Sequence, residues 1–164
     1  FYAAPFHDLG KIGIEDKILL KPAKLDEDEI KTMRNHSLIG YEILKDSESA
    51  YLQAGALIAL THHEKFDGSG YPKGLKGEDI HIYGRIVAIA DVFDALTSIR
   101  PYKEAWNFEK SIEFLKEESG RHFDPKLVVF FIKNKDEIFN IYNSLKENWL
   151  GKNFYWYVQY YKKT

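Results

Sequence analysis

Small and apolar residues recur at helical spacing after Asp26. Their positions on one face are Ile30, Met33, Gly40 and Leu44. Because Glu29 follows Asp26 by three residues, the pair has the pattern of a capping box, and we expect a helix over about residues 26–45. His36 falls on the same face, so its side chain is predicted to point into the domain.

A second apolar stripe predicts a helix over residues 50–63. Its inner face consists of Leu52, Ala56 and Ala59. His62 and His63 end this helix, and neighbouring residues lie about 100° apart around a helix axis. The two histidines can therefore flank one site, although they cannot share one face of the helix.

The second half of the chain predicts a long loop and further helices. The loop covers residues 64–82 and is rich in glycine, and loops of this length inside compact domains are usually functional or disordered. More helices are expected over residues 83–98, over residues 107–120 with Asn107 as N-cap, and over residues 124–147 with a break near Asn134. The sequence therefore predicts an all-α domain.

Composition and charge exclude several classes of function. The 164 residues carry a net charge of -2, so the chain has no electrostatic footprint for DNA. It has no cysteine, which leaves His, Asp and Glu as the possible metal ligands. The longest apolar run, residues 127–132, is far shorter than the ~20 residues that span a bilayer. We therefore expect a cytoplasmic domain without a membrane segment.

Six residues could bind metal ions if the fold brought them together. They are His7, Asp8, His36, His62, His63 and Asp91. Imidazole and carboxylate groups suit iron, manganese, zinc or cobalt, and this set exceeds what one tetrahedral zinc needs. A carboxylate such as Asp8 can bridge two ions ~4 Å apart, an arrangement that promotes displacement at phosphorus by water. The pattern indicates phosphoester hydrolysis.

Each of these residues also has a structural interpretation. A His-Asp dipeptide is often a surface pair, and a single inward histidine such as His36 is often a hydrogen-bonded core residue. Asp91 and Asp94 lie three residues apart in an otherwise apolar segment, where they could form a structural hydrogen-bond network. The glycine-rich segment could be a plain turn. Residue types alone leave both interpretations open.

Three long motifs carry a resemblance to a known family. They are HDLGKIGI at residues 7–14, HHEKFDGSGYPKGLKGE at residues 62–78 and RIVAIADVFDALTSIRPYKEAW at residues 85–106. Together with the His36 helix they resemble the HD-GYP family, a branch of the HD phosphohydrolase superfamily, over residues 3–129. The resemblance implies an all-α, HD-domain-like helical bundle with a long glycine-rich GYP loop. We expect the domain to cover residues 1–147, followed by an aromatic tail at residues 148–164.

The resemblance also implies an activity and a metal centre. The family hydrolyses the bacterial second messenger cyclic di-GMP to pGpG or GMP with two or three metal ions, usually iron or manganese. By motif position, His7 and Asp8 match the signature pair, with Asp8 bridging the metals. His36, His62 and His63 match the ligands of the second metal, and Asp91 matches a ligand of the first.

Further residues match positions that bind substrate. Lys11 resembles the lysine that contacts the scissile phosphate or the activated water, and Arg100 with Lys103 matches a phosphate-binding pair. The GYP loop, formed by Gly70, Tyr71 and Pro72, is implicated in substrate placement and in contacts with a partner of the diguanylate-cyclase type. Asp94 resembles an outer residue that supports the ligands. Glu64 and Asp67 are expected to shape the turn rather than to bind metal.

The beginning of the chain departs from the family pattern. The sequence opens on FYAAPFHD without Met, and we interpret it as a fragment that lacks the first helices of the domain. In the family those helices supply another metal-binding His and, in three-metal members, a Glu. The third metal is therefore expected to be lost, this form could be inactive, and a regulatory input domain is expected upstream.

Two alternatives stay open beside hydrolysis of cyclic di-GMP. The domain could be a non-catalytic signalling module that binds the dinucleotide or a protein partner through the GYP loop. It could also be an HD phosphohydrolase that acts on another phosphoester.

Overall fold

The computed structural model describes residues 2–99 and 104–152, with side chains to residue 144. Every regular element within these residues is a helix, which confirms the all-α prediction. The first half contains a 3₁₀ helix at Ala4–Gly13 and four α-helices, α1 Asp16–Leu19, α2 Glu27–Arg34, α3 His36–Leu44 and α4 Ala50–Thr61. The second half contains a 3₁₀ turn at Gly77–Asp79, α5 Ile82–Thr97, α6 Phe108–Glu117, α7 Pro125–Lys133 and α8 Lys135–Lys152.

The chain divides into two compact units. The first is Phe1–Val128 and the second is Val129–Thr164. All the candidate ligands lie in the first unit. None of the described helices combines the length and the apolar character needed to cross a membrane. The aromatic tail from residue 153 onward lies outside the described residues, and the expected boundary at residue 147 stays a prediction.

Local capping explains where several helices begin. The Asp26 carboxylate accepts the backbone N–H groups of Asp28 and Glu29, and the Glu29 carboxylate accepts that of Asp26, so the capping box is confirmed. Asn107 caps α6 by accepting the N–H of Lys110, also as predicted. The predicted interruption between the last two helices falls at Asn134.

The prediction of a single helix over residues 26–45 is wrong, because α2 and α3 meet at Asn35. The Asn35 N–H bonds to the Thr32 carbonyl, a tighter turn than an α-helix makes. The His36 ring donates from Nδ1 to the Met33 carbonyl at 2.7 Å. In an uninterrupted helix that carbonyl would accept a backbone N–H group instead. The break places His36 on the first turn of α3, facing inward.

Two glycines allow helices to approach closely around the site. A Cβ on Gly10 would lie 1.9 Å from the His36 carbonyl oxygen and 2.4 Å from the Gly40 nitrogen, so the 3₁₀ helix contacts α3 backbone to backbone. A Cβ on Gly84 would lie 2.0 Å from the Thr61 hydroxyl, so α5 packs directly on the end of α4. Both contacts lie within two residues of a candidate ligand.

Buried apolar residues complete the packing of these helices. Ala3, Ile58 and Val87 form one core cluster that joins the start of the chain to α4 and α5. Ala56 and Ala59 are 2% and 0% exposed, which confirms that they form the inner stripe of α4. The core therefore holds the 3₁₀ helix, α4 and α5 around one another.

We expect Gly10→Ala to destabilise the domain by about 3 kcal/mol, because its methyl group would overlap two backbone atoms that cannot rotate away. Gly13→Ala is the matched control on the same 3₁₀ helix. Its methyl group would meet only the half-buried Ile39 side chain, at 3.0 Å, and no backbone atom, so its cost should stay at about 1 kcal/mol. Urea unfolding measures both, and equal costs would contradict the backbone contact.

Candidate metal centre

The candidate ligands come from four separate elements that the fold brings to one place. His7 and Asp8 lie on the 3₁₀ helix, His36 begins α3 and Asp91 lies on α5. His62 is the C-cap of α4, and His63 follows it in the turn. The sequence placed both histidines inside the helix, but α4 ends at Thr61.

Asp8, His36, His62 and His63 form a tight cluster. One ligand atom from each lies within 4.8 Å of all the others. The His36 Nε2 atom lies 3.5 Å from Asp8 Oδ1 and 3.4 Å from His62 Nε2. The cluster has two imidazoles that are almost fully buried, His36 and His62, each 2% exposed. His62 and His63 thus flank one site, as the sequence predicted.

His7 and Asp91 extend this cluster on the other side of Asp8. The His7 Nε2 atom lies 3.4 Å from Asp8 Oδ2 and 3.9 Å from Asp91 Oδ1. The two oxygens of Asp8 therefore face different groups of residues, Oδ1 facing His36 and Oδ2 facing His7. A carboxylate in this position is suited to bridge two ions.

Backbone carbonyls orient three of the imidazoles. The Nδ1 atom of His7 donates to the Ala4 carbonyl at 2.9 Å. That of His36 donates to the Met33 carbonyl, and that of His62 lies 3.0 Å from the Ala59 carbonyl. In His36 and His62 these bonds place the proton on Nδ1 and leave Nε2 unprotonated, the usual arrangement of a metal-binding histidine. The His7 Nε2 atom instead faces the Asp8 carboxylate, to which it can also donate when the ring is protonated.

The electrostatics keep the buried imidazoles neutral and Asp8 charged. Burial lowers the pKa of His62 to about 4, and burial with the neighbouring His62 and His36 lowers the pKa of His63 to about 2. Burial would raise the pKa of Asp8, but hydrogen bonds from His7 and Lys11 outweigh it and hold that pKa well below its usual range. The hydrogen bond to Asp8 raises the pKa of His7.

This donor set fits a metal ion. Metal ligation needs neutral imidazole and ionised carboxylate, which are the protonation states that the cluster favours at neutral pH. Three imidazoles and a shared carboxylate converge there, with a second imidazole–carboxylate pair beside them. The cluster could therefore hold a metal ion.

Glu64 fastens the GYP loop beside the cluster. Its carboxylate is buried, at 2% exposure, and accepts the backbone N–H groups of Lys73 at 2.7 Å and Leu75 at 3.0 Å. The Asp67 carboxylate is exposed and accepts the N–H of Ser69 at 2.8 Å. Both residues shape the turn, as the sequence predicted.

Tyr71 of the GYP loop contacts the cluster directly. Its ring stacks on that of His63, with centroids 4.8 Å apart and planes 27° apart, and its N–H bonds to the His63 carbonyl at 3.2 Å. Gly70 allows the turn to close, because a Cβ there would lie 2.2 Å from the Lys65 nitrogen. Pro72 follows, half-buried. The loop is thus one wall of the site.

Basic groups lie at the same site. Lys11 donates to Asp8 Oδ2 at 2.5 Å. Arg34, which the sequence analysis did not single out, places its guanidinium 4.9 Å from the centre of the Tyr71 ring. Its position two residues before His36 was the one signal in the sequence that could have indicated it.

One other predicted site residue, Asp94, is not placed with the cluster. Asp94 is exposed on α5, and its carboxylate accepts a hydrogen bond from the Ser98 hydroxyl at 3.3 Å. Its supporting role stays a prediction. Arg100 and Lys103 lie outside the described residues.

Comparisons with known proteins agree with this geometry. The family model described as HD domain matches residues 1–127. The chain is 54% identical over 136 residues to the cyclic di-GMP phosphodiesterase response regulator RpfG of Xanthomonas campestris pv. campestris, covering 83% of this chain and 36% of that one. It is 50% identical over 146 residues to a cyclic di-GMP phosphodiesterase of Thermotoga maritima, covering 89% of this chain and 40% of that one.

Two further relatives are proteins of Vibrio cholerae. The 3'3'-cGAMP-specific phosphodiesterase 2 is 51% identical over 145 residues, covering 88% of this chain and 28% of that one. The crystal structure of the cyclic GMP-AMP specific phosphodiesterase V-cGAP3 matches with a TM-score of 0.54 at 20% identity, covering 80% of this chain and 36% of that one. This match shows that the two folds are alike.

The helical fold and the His/Asp cluster thus define a protein of the HD type. The match covers most of the sequence, and the chain belongs to the HD domain family. It spans 36% and 40% of the length of the first two relatives described.

We expect Glu64→Ala to destabilise the domain by about 2–4 kcal/mol, because two backbone N–H groups would lose their buried acceptor. Asp67→Ala removes an exposed acceptor in the same loop and should cost less than about 1 kcal/mol. Urea unfolding gives the costs. Hydrogen exchange of the Lys73 and Leu75 amides should speed up only in the Glu64 variant, and unchanged exchange would contradict the anchoring role.

The metal-free domain should lose stability as the pH falls from 6 to 4. The unfolded chain binds protons on histidine below about pH 6.5, whereas folded His62 and His63 resist protonation, so each contributes a slope of up to ~1.4 kcal/mol per pH unit. Burial also lowers the pKa of His36, which adds to this slope. His7, whose pKa is raised, gives the opposite slope near and above pH 6.5. Urea unfolding at several pH values measures the effect, and His63→Gln should flatten it.

Proposed function

We propose that this domain is a metal-dependent phosphodiesterase that hydrolyses cyclic di-GMP to pGpG, GMP or both in bacterial second-messenger signalling. The observation that carries the proposal is the Asp8 carboxylate, which faces the His36 side of the cluster with one oxygen and His7 with the other. Relatives at 50% identity or more are named as cyclic di-GMP or 3'3'-cGAMP phosphodiesterases.

Two divalent ions, iron or manganese, are proposed as the cofactors. Asp8 would bridge them, with His7 and Asp91 on one side. The other side would consist of His36, His62 and His63. When bound, such ions polarise a phosphoryl oxygen and stabilise the negative charge that develops during hydrolysis.

The chain's own residues would bind and orient the substrate. The Lys11 ammonium lies at the Asp8 carboxylate, where it can also donate to an oxygen of the scissile phosphate. Burial raises the pKa of Tyr71 to about 12, so its hydroxyl keeps its proton at neutral pH and can donate a hydrogen bond. Arg100 and Lys103 are proposed as further phosphate-binding residues, and Gly70 and Pro72 as residues that place the substrate.

In the overall reaction one molecule of water adds across a phosphodiester bond. One P–O bond forms and one P–O bond to the ribose breaks, and the ribose oxygen leaves with a proton. Opening one of the two phosphodiester bonds gives pGpG, and opening both gives two molecules of GMP.

Two alternative functions would give different assay results. A non-catalytic module would bind cyclic di-GMP without forming a product. A phosphohydrolase with another substrate would cleave a different phosphoester faster than cyclic di-GMP. The protein partner of the diguanylate-cyclase type, the upstream input domain and the cytoplasmic location stay predictions.

The natural full-length protein, loaded with Fe²⁺ or Mn²⁺ under anaerobic conditions, should convert cyclic di-GMP to pGpG or GMP, as followed by chromatography. His62→Ala combined with His63→Ala should lower the rate by at least about 100-fold, since even outer partners of metal ligands are worth 10–100-fold. Metal content per chain should fall with it. Removal of metal with a chelator should abolish turnover, and re-addition should restore it.

His81→Ser is the matched control, because His81 caps α5 outside the cluster and serine keeps an acceptor for the Tyr83 N–H. It should retain the rate and the metal content. Unchanged turnover in the double histidine variant would overturn the proposed function. Tight binding of cyclic di-GMP without product in the metal-loaded protein would favour the non-catalytic module.

A further inference from the structure

We propose that Arg34 is a substrate-binding residue that contacts the phosphate of the cyclic dinucleotide that is not being cleaved, with the Tyr71 ring as its platform. The inference rests on the proposed function, since it concerns the same substrate. It adds a basic residue that the family motifs in this sequence do not contain.

The first support is that two groups contact the Tyr71 ring. The His63 ring, which belongs to the metal cluster, stacks on the Tyr71 ring with centroids 4.8 Å apart. The Arg34 guanidinium carbon lies 4.9 Å from the centre of the same Tyr71 ring. Arg34 and a candidate metal ligand thus both contact the same aromatic ring.

The second support is how the contact with Tyr71 orients Arg34. A guanidinium group that lies over an aromatic ring uses the ring for cation–π attraction and keeps its N–H groups able to donate. Arg34 is exposed at the end of α2, and among the described residues it forms no ion pair with a carboxylate. Its planar fork of N–H groups matches two oxygens of a phosphate.

The third support is the charge that the substrate brings. A cyclic dinucleotide has two phosphates, and only one can be at Asp8 during a cleavage step. Lys11 already lies 2.5 Å from Asp8 and serves that end of the site. Arg34, which lies over the Tyr71 ring in the wall of the site, would supply a cation for the other phosphate in addition to the proposed pair Arg100 and Lys103.

The test compares a large and a small substrate in the metal-loaded full-length protein. Arg34→Ala should raise KM for cyclic di-GMP by about 10- to 100-fold and leave kcat within about threefold, because it removes one charge-assisted contact. Hydrolysis of bis(p-nitrophenyl) phosphate, which has a single phosphate, should keep its kcat/KM. Arg34→Lys, which keeps the charge and loses the planar fork, should give an intermediate KM.

Lys31→Ala is the matched control. Lys31 is an exposed basic residue on the same helix, and its ammonium pairs with Asp28 at 3.1 Å rather than with the site. Its removal changes the net charge as Arg34→Ala does, so KM for cyclic di-GMP should stay at the wild-type value. A KM that rises equally in both variants would indicate a general charge effect and overturn the assignment.

Other outcomes also decide the question. An unchanged KM in Arg34→Ala, or an equal loss on both substrates, would overturn the assignment, the latter because it indicates a merely structural role. The inhibition constant of 3'3'-cGAMP should rise by the same factor as KM for cyclic di-GMP. A rise for cyclic di-GMP alone would indicate a contact with guanine and overturn the phosphate contact.

The proposed function and this inference fail in different ways. If the wild-type protein does not cleave cyclic di-GMP, the proposed function fails. If the wild type is active and Arg34→Ala leaves KM unchanged, only this inference is rejected.

Discussion

The backbone contact at Gly10 is the constraint on which the site depends. The 3₁₀ helix that contains His7 and Asp8 lies against α3 so closely that a Cβ at Gly10 would be 1.9 Å from the His36 carbonyl oxygen. This approach brings the Asp8 carboxylate within 3.5 Å of the His36 ring. Ten residues of 3₁₀ helix are uncommon, since such runs rarely exceed three or four residues, and here tertiary packing supports them.

Burial gives the cluster its chemistry. Imidazoles that are removed from water resist protonation, so His62 keeps the lone pair on its Nε2 atom and His63 keeps one on a ring nitrogen at neutral pH. Asp8 keeps its negative charge because His7 and Lys11 hydrogen-bond to it. The same surroundings that make these groups costly in a metal-free core make them ready ligands for a cation.

The GYP loop is built on the residue that follows the histidine pair. Glu64 holds the far arm of the loop through two backbone N–H groups, while the Tyr71 ring and N–H contact His63. The GYP loop and the His/Asp cluster are therefore tied to the same short segment of chain. This linkage explains how a glycine-rich loop can hold Tyr71 in a defined place, where Arg34 from the end of α2 lies over its ring.

Much of this arrangement was predictable from sequence because it depends on local patterns or on long motifs. The capping box at Asp26, the N-cap at Asn107 and the helix break at Asn134 are short-range hydrogen-bond features, and the structure contains them. The histidine and aspartate motifs indicated a set of ligands before any contact was known. The break at Asn35 was not predictable, because it depends on where the His36 ring finds its acceptor.

By itself, the sequence determined an all-α domain, its ligand types and its membership of the HD domain family. Only the tertiary structure decided that Asp8 lies between two groups of candidate ligands and that Arg34 lies over Tyr71. Periodicity reports which side of one helix faces inward. It does not report how closely two backbones approach or which side chains from distant segments meet, because these depend on packing at positions such as Gly10 and Gly84.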